Sequence, residues 1–369
     1  MALKVYDGFE KYKVQADMQA RQGVLEWSDI SGGPVSFVTG RGGFGYAVSL
    51  PGTSGGYTWI GGSYNANFSA ANTAVAAQLE PLNGQYLDIM LMDYSTPAPG
   101  GSPNGSSGAA QITFRCSIAS GLIQVYRGDP VVAGATLLAQ TPPNAFSPYI
   151  WNKLETLATI STSGSFNLQV NGTSVVSASG VNTSSTGNAW YNGVRYRIGF
   201  VQESGSALLL DDFNLNDTTT GSGTYALNGF IGDCATRTLF TTANNSVSWT
   251  PLTSSNWVEV GEMQFDRDTS YNFATTVGNA DTFTFGSLAS TVAAVFGVQV
   301  TGAYRKQDAG SQTIKQRVIS NGTTQDGSVW PLSLDWSYVT DLLVLDPHTG
   351  ASWTVAAVNA IDAGYVLNS

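Results

Sequence analysis

The 369-residue chain carries 42 glycines but only 11% charged residues, and 16 Lys and Arg against 26 Asp and Glu leave a net charge of −10. Soluble domains average about 25% charged residues and about 7% glycine, so this chain is polar without being charged. Sparse cations exclude the clustered basic surface that nucleic-acid backbones require, and a 42% hydrophobic content excludes disorder.

The opening, MALKVYDGFEKYKV, meets Asp7 and Glu10 before any apolar run can form, so it does not read as a signal peptide. A short helix is predicted over 15–21. GRGGFG (40–45) has the glycines of a phosphate cradle but no following helix or Gly-Lys-Ser/Thr, so its predicted use is turning strands and letting them approach closely. SGGYTWIGGSY (54–64) places aromatics between glycines, a pattern that predicts a loop tip. In LDIMLMD, Asp88 and Asp93 are five residues apart and so on opposite faces of an ideal strand. The turn-rich stretch 95–111 (STPAPGGSPNGSSGAAQ) predicts a hairpin tip.

Strand-like segments follow at 112–116, 122–128, 165–172, 196–201 and 207–217, each short, rich in β-branched or aromatic residues and bounded by Gly, Asn, Ser or Pro. In SFNLQVNG, Phe166, Leu168 and Val170 share one face, and Asn171-Gly172 is a tight-hairpin dipeptide. NAWYNGVRY (188–196) is a second aromatic cluster among Gly and Asn. Asp211 and Asp212 are consecutive, so an ideal strand points them to opposite faces. TTTGSGT (218–224) reads as a linker between a unit spanning 1–217 and a smaller one spanning 225–369. The second unit shows strand patterns at 283–286, 292–306, 312–320 and 339–347, and a short helix at 353–362. The nearly apolar stretch 292–300 is too short to span a bilayer as a helix. No charge appears from 42 to 79 or from 156 to 194, which points to faces packed on neighbouring copies. The expected fold is all-β: an antiparallel sandwich followed by a second, smaller β-sandwich.

Chemistry-bearing residues are few. Cys116 and Cys234 have no CxxC context and read as free thiols. The lone histidine, His348, lies in a turn-like Asp-Pro-His-Thr-Gly, and no GxSxG elbow accompanies it, so a catalytic triad is not expected. Glu259, Glu262, Asp266 and Asp268 cluster in EVGEMQFDRD; this reads as a solvated loop, with a paired acid and base as the alternative. DRDTSYN has the opening spacing of a calcium loop at Asp266 and Asp268. It lacks the glycine and the bidentate glutamate of an EF-hand, so a looser calcium site is the most it offers. Sugar rings stack on aromatic faces while their hydroxyls bond to Asn and Asp, which makes Tyr57, Trp59, Trp190 and Tyr191 the candidate glycan-binding residues. Trp151, Trp257 and Trp353 read as packing residues.

Taken in order, DGFEKY (7–12), GRGGFGYAVSL (40–50), QITFRCSIASGLIQVYRG (111–128), WNKLETLATIS (151–161), SFNLQVNGTSVVSASGVNT (165–183) and LLLDDFNLND (208–217) resemble the concanavalin A-like, laminin-G-like jelly-roll domain found in structural proteins of tailed bacteriophages. Segments 228–240, 268–285, 297–320 and 345–367 resemble the companion C-terminal domain of such proteins. The resemblance implies a jelly roll with a β-rich attachment domain, in a virion structural protein of the tail, fibre or capsid decoration. Such a protein is made in the host cytoplasm, released by lysis and present in several copies. Its implied partners are other virion proteins and further copies of itself; no cofactor, catalytic residue, nucleic acid or membrane insertion is implied. Two alternatives stand beside this reading: an adhesin recognising host-surface polysaccharide through the Trp59 or Trp190 cluster, and a capsule depolymerase using loop carboxylates.

Overall fold

The computed structural model describes residues 3–19, 21–22, 25–31, 33–43, 45–51, 56–68, 73–81, 85–95, 108–199, 207–217, 229–262 and 264–369. The predicted linker at 218–224 and most of the predicted hairpin tip at 95–111 lie outside the described residues. Two antiparallel sheets form the first unit. One has eight strands, in the order Thr173–Val181, Gly164–Val170, Asn152–Thr159, Thr73–Pro81, Ala207–Asp217, Tyr46–Pro51 and Ser36–Thr39, with Leu3–Asp7 also paired to Ala207–Asp217. The other has seven: Thr136–Gln140, Ile123–Arg127, Ala109–Ser117, Tyr86–Asp93, Tyr191–Gly199, Tyr57–Phe68 and Leu25–Ser31. This is the two-layer antiparallel sandwich of a jelly roll.

Strict alternation drives the layering. Gly164–Val170 alternates buried and half-buried residues, with Phe166, Leu168 and Val170 inward as expected. Phe166 meets Phe114 of the facing sheet edge to face at 6.1 Å. Asn171 and Gly172 turn the hairpin with φ of 50° and 80°, the left-handed pair that such a turn needs. At the N-terminus, Asp7 is fully buried yet satisfied, accepting from the Phe9 N–H, the Tyr12 hydroxyl, Trp27 Nε1 and Lys11 Nζ. The DGFEKY motif is thus a buried-carboxylate anchor for the aromatics Phe9, Tyr12 and Trp27.

The second unit has a six-stranded sheet, ordered Thr241–Ser246, Ala280–Phe285, Asp362–Leu367, Thr313–Ser320 and Thr323–Asp326, with Trp330–Pro331 also paired to Thr313–Ser320. Packed on it is a three-stranded sheet of Val298–Tyr304, Ser337–Leu343 and the two-residue strand Arg21–Gln22, which joins in parallel from the first unit. The strand expected over 292–306 is shorter, starting at Val298, because residues 292–297 run irregularly before it. The predicted helices reduce to Gln15–Gln19 and Val355–Val358, the latter capped by Thr354. Among the described residues no helix is long and apolar enough to cross a membrane.

The units meet on the eight-stranded sheet. Glu155 accepts the N–H groups of Ile231 and Gly232, Asp212 accepts that of Thr236, and the Asn216 side chain donates to the Gly229 carbonyl. Tyr338 of the second unit lies in the core of the first, edge to face with Tyr12 at 5.5 Å. Strict alternation fails at Asp211 and Asp212. A bulge lies between Asp211 and Asn214, and Asp212 has φ 50°, so Arg41 reaches both carboxylates, with its backbone N–H on Asp211 and its Nε on Asp212. The expectation that the two point to opposite faces is therefore corrected, because a bulge resets the strand's period.

Candidate functional site

The face of the seven-stranded sheet that points away from the core is the candidate site. Register places its side chains in cross-strand rows. One row runs Gln140, Gln124, Arg115, Asp88, Arg197, Trp59, Ser31, and the next runs Leu137, Tyr126, Thr113, Met90, Arg195, Gly61, Asp29. Directly opposed residues in adjacent antiparallel strands share a face, so each row lines up neighbouring side chains, with Gly61 leaving a gap between Arg195 and Asp29 that the Tyr94 hydroxyl enters.

Opposite charges meet in these rows. Asp88, fully buried, takes a two-pronged contact from Arg115 at 2.8 and 2.9 Å and two bonds from Arg197 at 2.9 and 2.6 Å. Arg197, 2% exposed, turns its remaining donors to Asp129 at 2.8 and 2.7 Å. Asp29 is held by the Arg195 guanidinium, by Trp59 Nε1 at 2.9 Å and by the Tyr94 hydroxyl at 2.9 Å. Rings cover the cations: Arg115 lies 3.6 Å from the Tyr86 ring centroid, Arg197 lies 5.3 Å from Tyr57, and Arg195 lies 5.3 Å from Trp59.

Every resolved shift on this face moves away from neutrality. Burial pushes the Asp129 carboxyl up, but the hydrogen bonds and charge of Arg197 outweigh it and hold the group below the ordinary carboxylate range. Burial raises the Tyr86 and Tyr94 phenols. Burial works against the Arg115 and Arg197 guanidiniums, yet Asp88 keeps the former charged and Asp88 with Asp129 the latter. The face therefore presents fixed charges and neutral phenols.

Of the four aromatics read from sequence, Tyr57 and Trp59 come together on this face, although on a strand and not a loop tip. Trp59 is 2% exposed and offers its indole N–H to Asp29, so it supports the floor from below any ligand. Tyr57 is half-buried over Arg197. Tyr191 is fully buried in the sandwich core beside Phe68 and has no face to offer, which removes it as a contact residue. Trp190 is half-buried, its carbonyl tied to Gln111 Nε2 at 2.7 Å. The glycines that suggested loops have another use. A Cβ on Gly61 or Gly193 would collide with Tyr94, and one on Gly199 with Tyr86, so these positions let rings lie flat on the sheet.

Sequence reading missed Arg115, Arg195, Arg197, Asp29, Asp129, Gln124 and Tyr126. The signal for Arg195 and Arg197 was charge at alternate mid-strand positions, as in VRYRIG, where an ordinary strand would present small polar residues. The half-exposed members, Gln124 and Tyr126, with Arg115 at 14% exposure, form its accessible side.

The other candidates lie elsewhere. Asp93 is buried and binds Ser95, Thr186 and Asn188, fixing the segment around residues 183–190 over one end of the sheet. His348 bridges Asn321 at 2.8 Å and Thr323 at 3.0 Å across a turn. Glu259 accepts from Thr253, Ser254 and Tyr271, which braces a turn. Asp266 accepts from Ser270, whereas Asp268 faces Arg305 at 2.8 Å and Trp336 Nε1 at 3.1 Å. The two carboxylates of the loose calcium site that the sequence offered thus have separate partners, a hydroxyl for Asp266 and a guanidinium for Asp268. Among the described residues no three of His, Cys, Asp and Glu come together as metal ligands. Cys116 is a buried thiol and Cys234 a half-buried one, 3.8 Å from Lys153 Nζ.

The sequence matches no protein-family model and no curated protein. Among solved structures it is similar to an endo-β-1,4-glucuronan lyase from the fungus Trichoderma reesei, at 13% identity and TM-score 0.37, over 53% of this chain and 92% of the lyase. It is similar at 16% identity and TM-score 0.35 to a carbohydrate esterase from a Shiga toxin-encoding bacteriophage, over 52% of this chain and 90% of the esterase. A galectin-like protein of unknown function from Bacillus subtilis aligns at 9% identity and TM-score 0.37, over 58% of this chain and 96% of its own. These similarities cover about half of the chain; the all-β sandwich is established by the chain's own sheet order.

Proposed function

We propose that this chain is a non-enzymatic structural component of a tailed-phage particle whose jelly roll recognises polysaccharide on the host surface. The observation that carries this reading is the outward face of the seven-stranded sheet. Its accessible members, Gln124, Tyr126, Tyr57 and Arg115, supply aromatic surface and hydrogen-bond groups, the two things a sugar ring needs, above a buried floor of Asp88, Arg195, Arg197 and Trp59 that fixes their positions. Fixed charges and raised phenols favour binding over proton transfer, since acid–base catalysis wants groups titrating near the working pH. The second unit docks on the eight-stranded sheet, on the opposite side of the sandwich, which suits one unit for attachment and the other for presentation. The phage setting rests on the sequence resemblance.

The test is binding of labelled protein to intact host cells, competed by extracted surface polysaccharide, for the native chain and for Gln124→Ala with Tyr126→Ala. Both side chains are half-exposed, so the double variant should melt as the native protein does while saturable binding is lost. Full binding by the double variant would refute the assignment of this face, and release of new reducing ends from the polysaccharide would refute the non-enzymatic reading.

A further inference from the structure

Away from the seven-stranded sheet's outward face, a cavity of about 1040 Å³ opens between the two sheets of the second unit and reaches the first unit. Its walls include Phe240, Phe283, Phe285, Val298, Val300 and Ile361. Among the described residues six carboxyl side chains line it: Asp212 and Asp233 pair with Arg41, Glu259 accepts the Thr253 and Tyr271 N–H groups and Asp308 accepts from Gly310 and Gln312, which leaves Glu10 from the first unit and Glu262 from the second. The cations of the lining are engaged elsewhere, Lys11 by Asp7, Arg305 by Asp268, and Arg237 and Lys306 by backbone carbonyls. Glu10 is 9% exposed, and among the described residues its side chain has no hydrogen-bond partner beyond its own backbone N–H. Room for it is made by Gly8 and Gly45, where a Cβ would collide with the carboxyl group. Glu262 accepts from Ser270 through Oε1, but its Oε2 is buried with no partner.

A buried carboxyl with unused acceptor capacity is costly unless something pairs with it. A metal ion is a poor match, because the carboxyls do not gather around one point. Separated carboxyls along apolar walls fit a cation whose charges are spaced by hydrocarbon. We propose that this cavity binds an aliphatic polyamine, with ammonium groups taken by Glu10 and Glu262 and methylene segments by the apolar walls. The inference is independent of the glycan reading, since it uses neither the seven-stranded sheet nor its aromatics.

Proton linkage follows from the surroundings. Burial, then the Asp211 charge with that of Asp7, against Lys11, pushes Glu10 up to about 8. Burial and Asp266 push Glu262 up to about 7, and Tyr338 is the facing phenol whose own ionisation it opposes. An arriving ammonium favours the ionised carboxylates, so binding releases protons and tightens as pH rises from about 6 to about 8.

The experiment titrates spermidine into the native protein, Glu10→Gln, Glu262→Gln and, as an exposed-carboxylate control, Asp335→Asn by isothermal calorimetry. A neutral diol of similar length serves as the ligand control. Each Gln variant should bind spermidine about tenfold or more weakly while Asp335→Asn binds normally, since charge-assisted hydrogen bonds are the stronger kind and about 1.4 kcal/mol is tenfold. Melting curves without ligand establish that the variants fold; if one does not, the other variant and the diol comparison decide. No binding of spermidine, equal loss in Asp335→Asn, or equal binding of the diol would each overturn the proposal.

Discussion

Replacing Asp88 with alanine tests whether the charged rows of the seven-stranded sheet are a tightly coupled unit. Asp88 is fully buried and takes four hydrogen bonds, two from Arg115 and two from Arg197. Without it, Arg197 at 2% exposure keeps Asp129 as its one carboxylate, and Arg115 loses the carboxylate it pairs with. Arg115, at 14% exposure, recovers some hydration, but Arg197 does not. Breaking a buried pair from one side costs about 3–5 kcal/mol. With an unfolding entropy of about 2.1 cal/mol/K per residue over the ~200 residues of the jelly roll, that lowers its Tm by roughly 7–12 °C. The internal comparison is Arg317→Ala in the pair with Asp326, whose side chains are 25% and 30% exposed and whose loss should cost about 1 kcal/mol or less. Urea unfolding followed by tryptophan fluorescence, with calorimetric melting, measures both. If Asp88→Ala destabilised the protein no more than Arg317→Ala, the row would be a set of solvated charges and the reasoning would fail.

Two further outcomes follow from the same structure. Glu10, Glu262 and Asp211 are raised on folding, to about 8, 7 and 7, chiefly by burial. Between the ordinary carboxylate range and these values the folded state holds more protons than the unfolded one. Stability should therefore fall as pH rises from about 5 to about 7 as Glu262 and Asp211 lose their advantage, and further to about 8 through Glu10, with a slope on the order of 1 kcal/mol per pH unit. Urea midpoints across that window measure it; Glu10→Gln should flatten the slope, and a flat native profile would contradict the burial of these carboxyls. Gly193→Ala places a Cβ against the Tyr94 ring, and overpacking of this kind costs about 1–3 kcal/mol. Tyr94→Ala in the same chain should relieve the ring's share of that cost but not the share from the Gly62 carbonyl, which the new Cβ would still meet, and simple additivity of the two changes would show that the ring does not rest on Gly193.

Much of the scaffold could be read from residues in order. Gly164–Val170 and its Asn171-Gly172 turn obey local rules, so alternation and a dipeptide suffice to place them. The candidate site was harder, because its order is across strands. Arg115, Asp88 and Arg197 lie 27 to 109 residues apart and become a triad only when register lines them up. Glycine misled for a physical reason: the same absence of a side chain that frees a loop also lets Tyr94 and Tyr86 lie on a strand. Asp211 and Asp212 misled because a bulge, which no alternation rule foresees, turned both toward Arg41.

The parallel strand Arg21–Gln22 on Ser337–Leu343, and the Tyr338 hydroxyl donating to the Lys11 carbonyl across 327 residues, have a consequence for how the protein is made. A ribosome delivers the first unit long before Tyr338 exists, so the jelly roll must wait with one core position unfilled. Each doubling of such a loop adds about 0.6 kcal/mol of closure entropy, and contacts this distant slow the final step. Completion of the first core is thereby tied to completion of the second, and a chain truncated before Tyr338 lacks the edge-to-face partner of Tyr12.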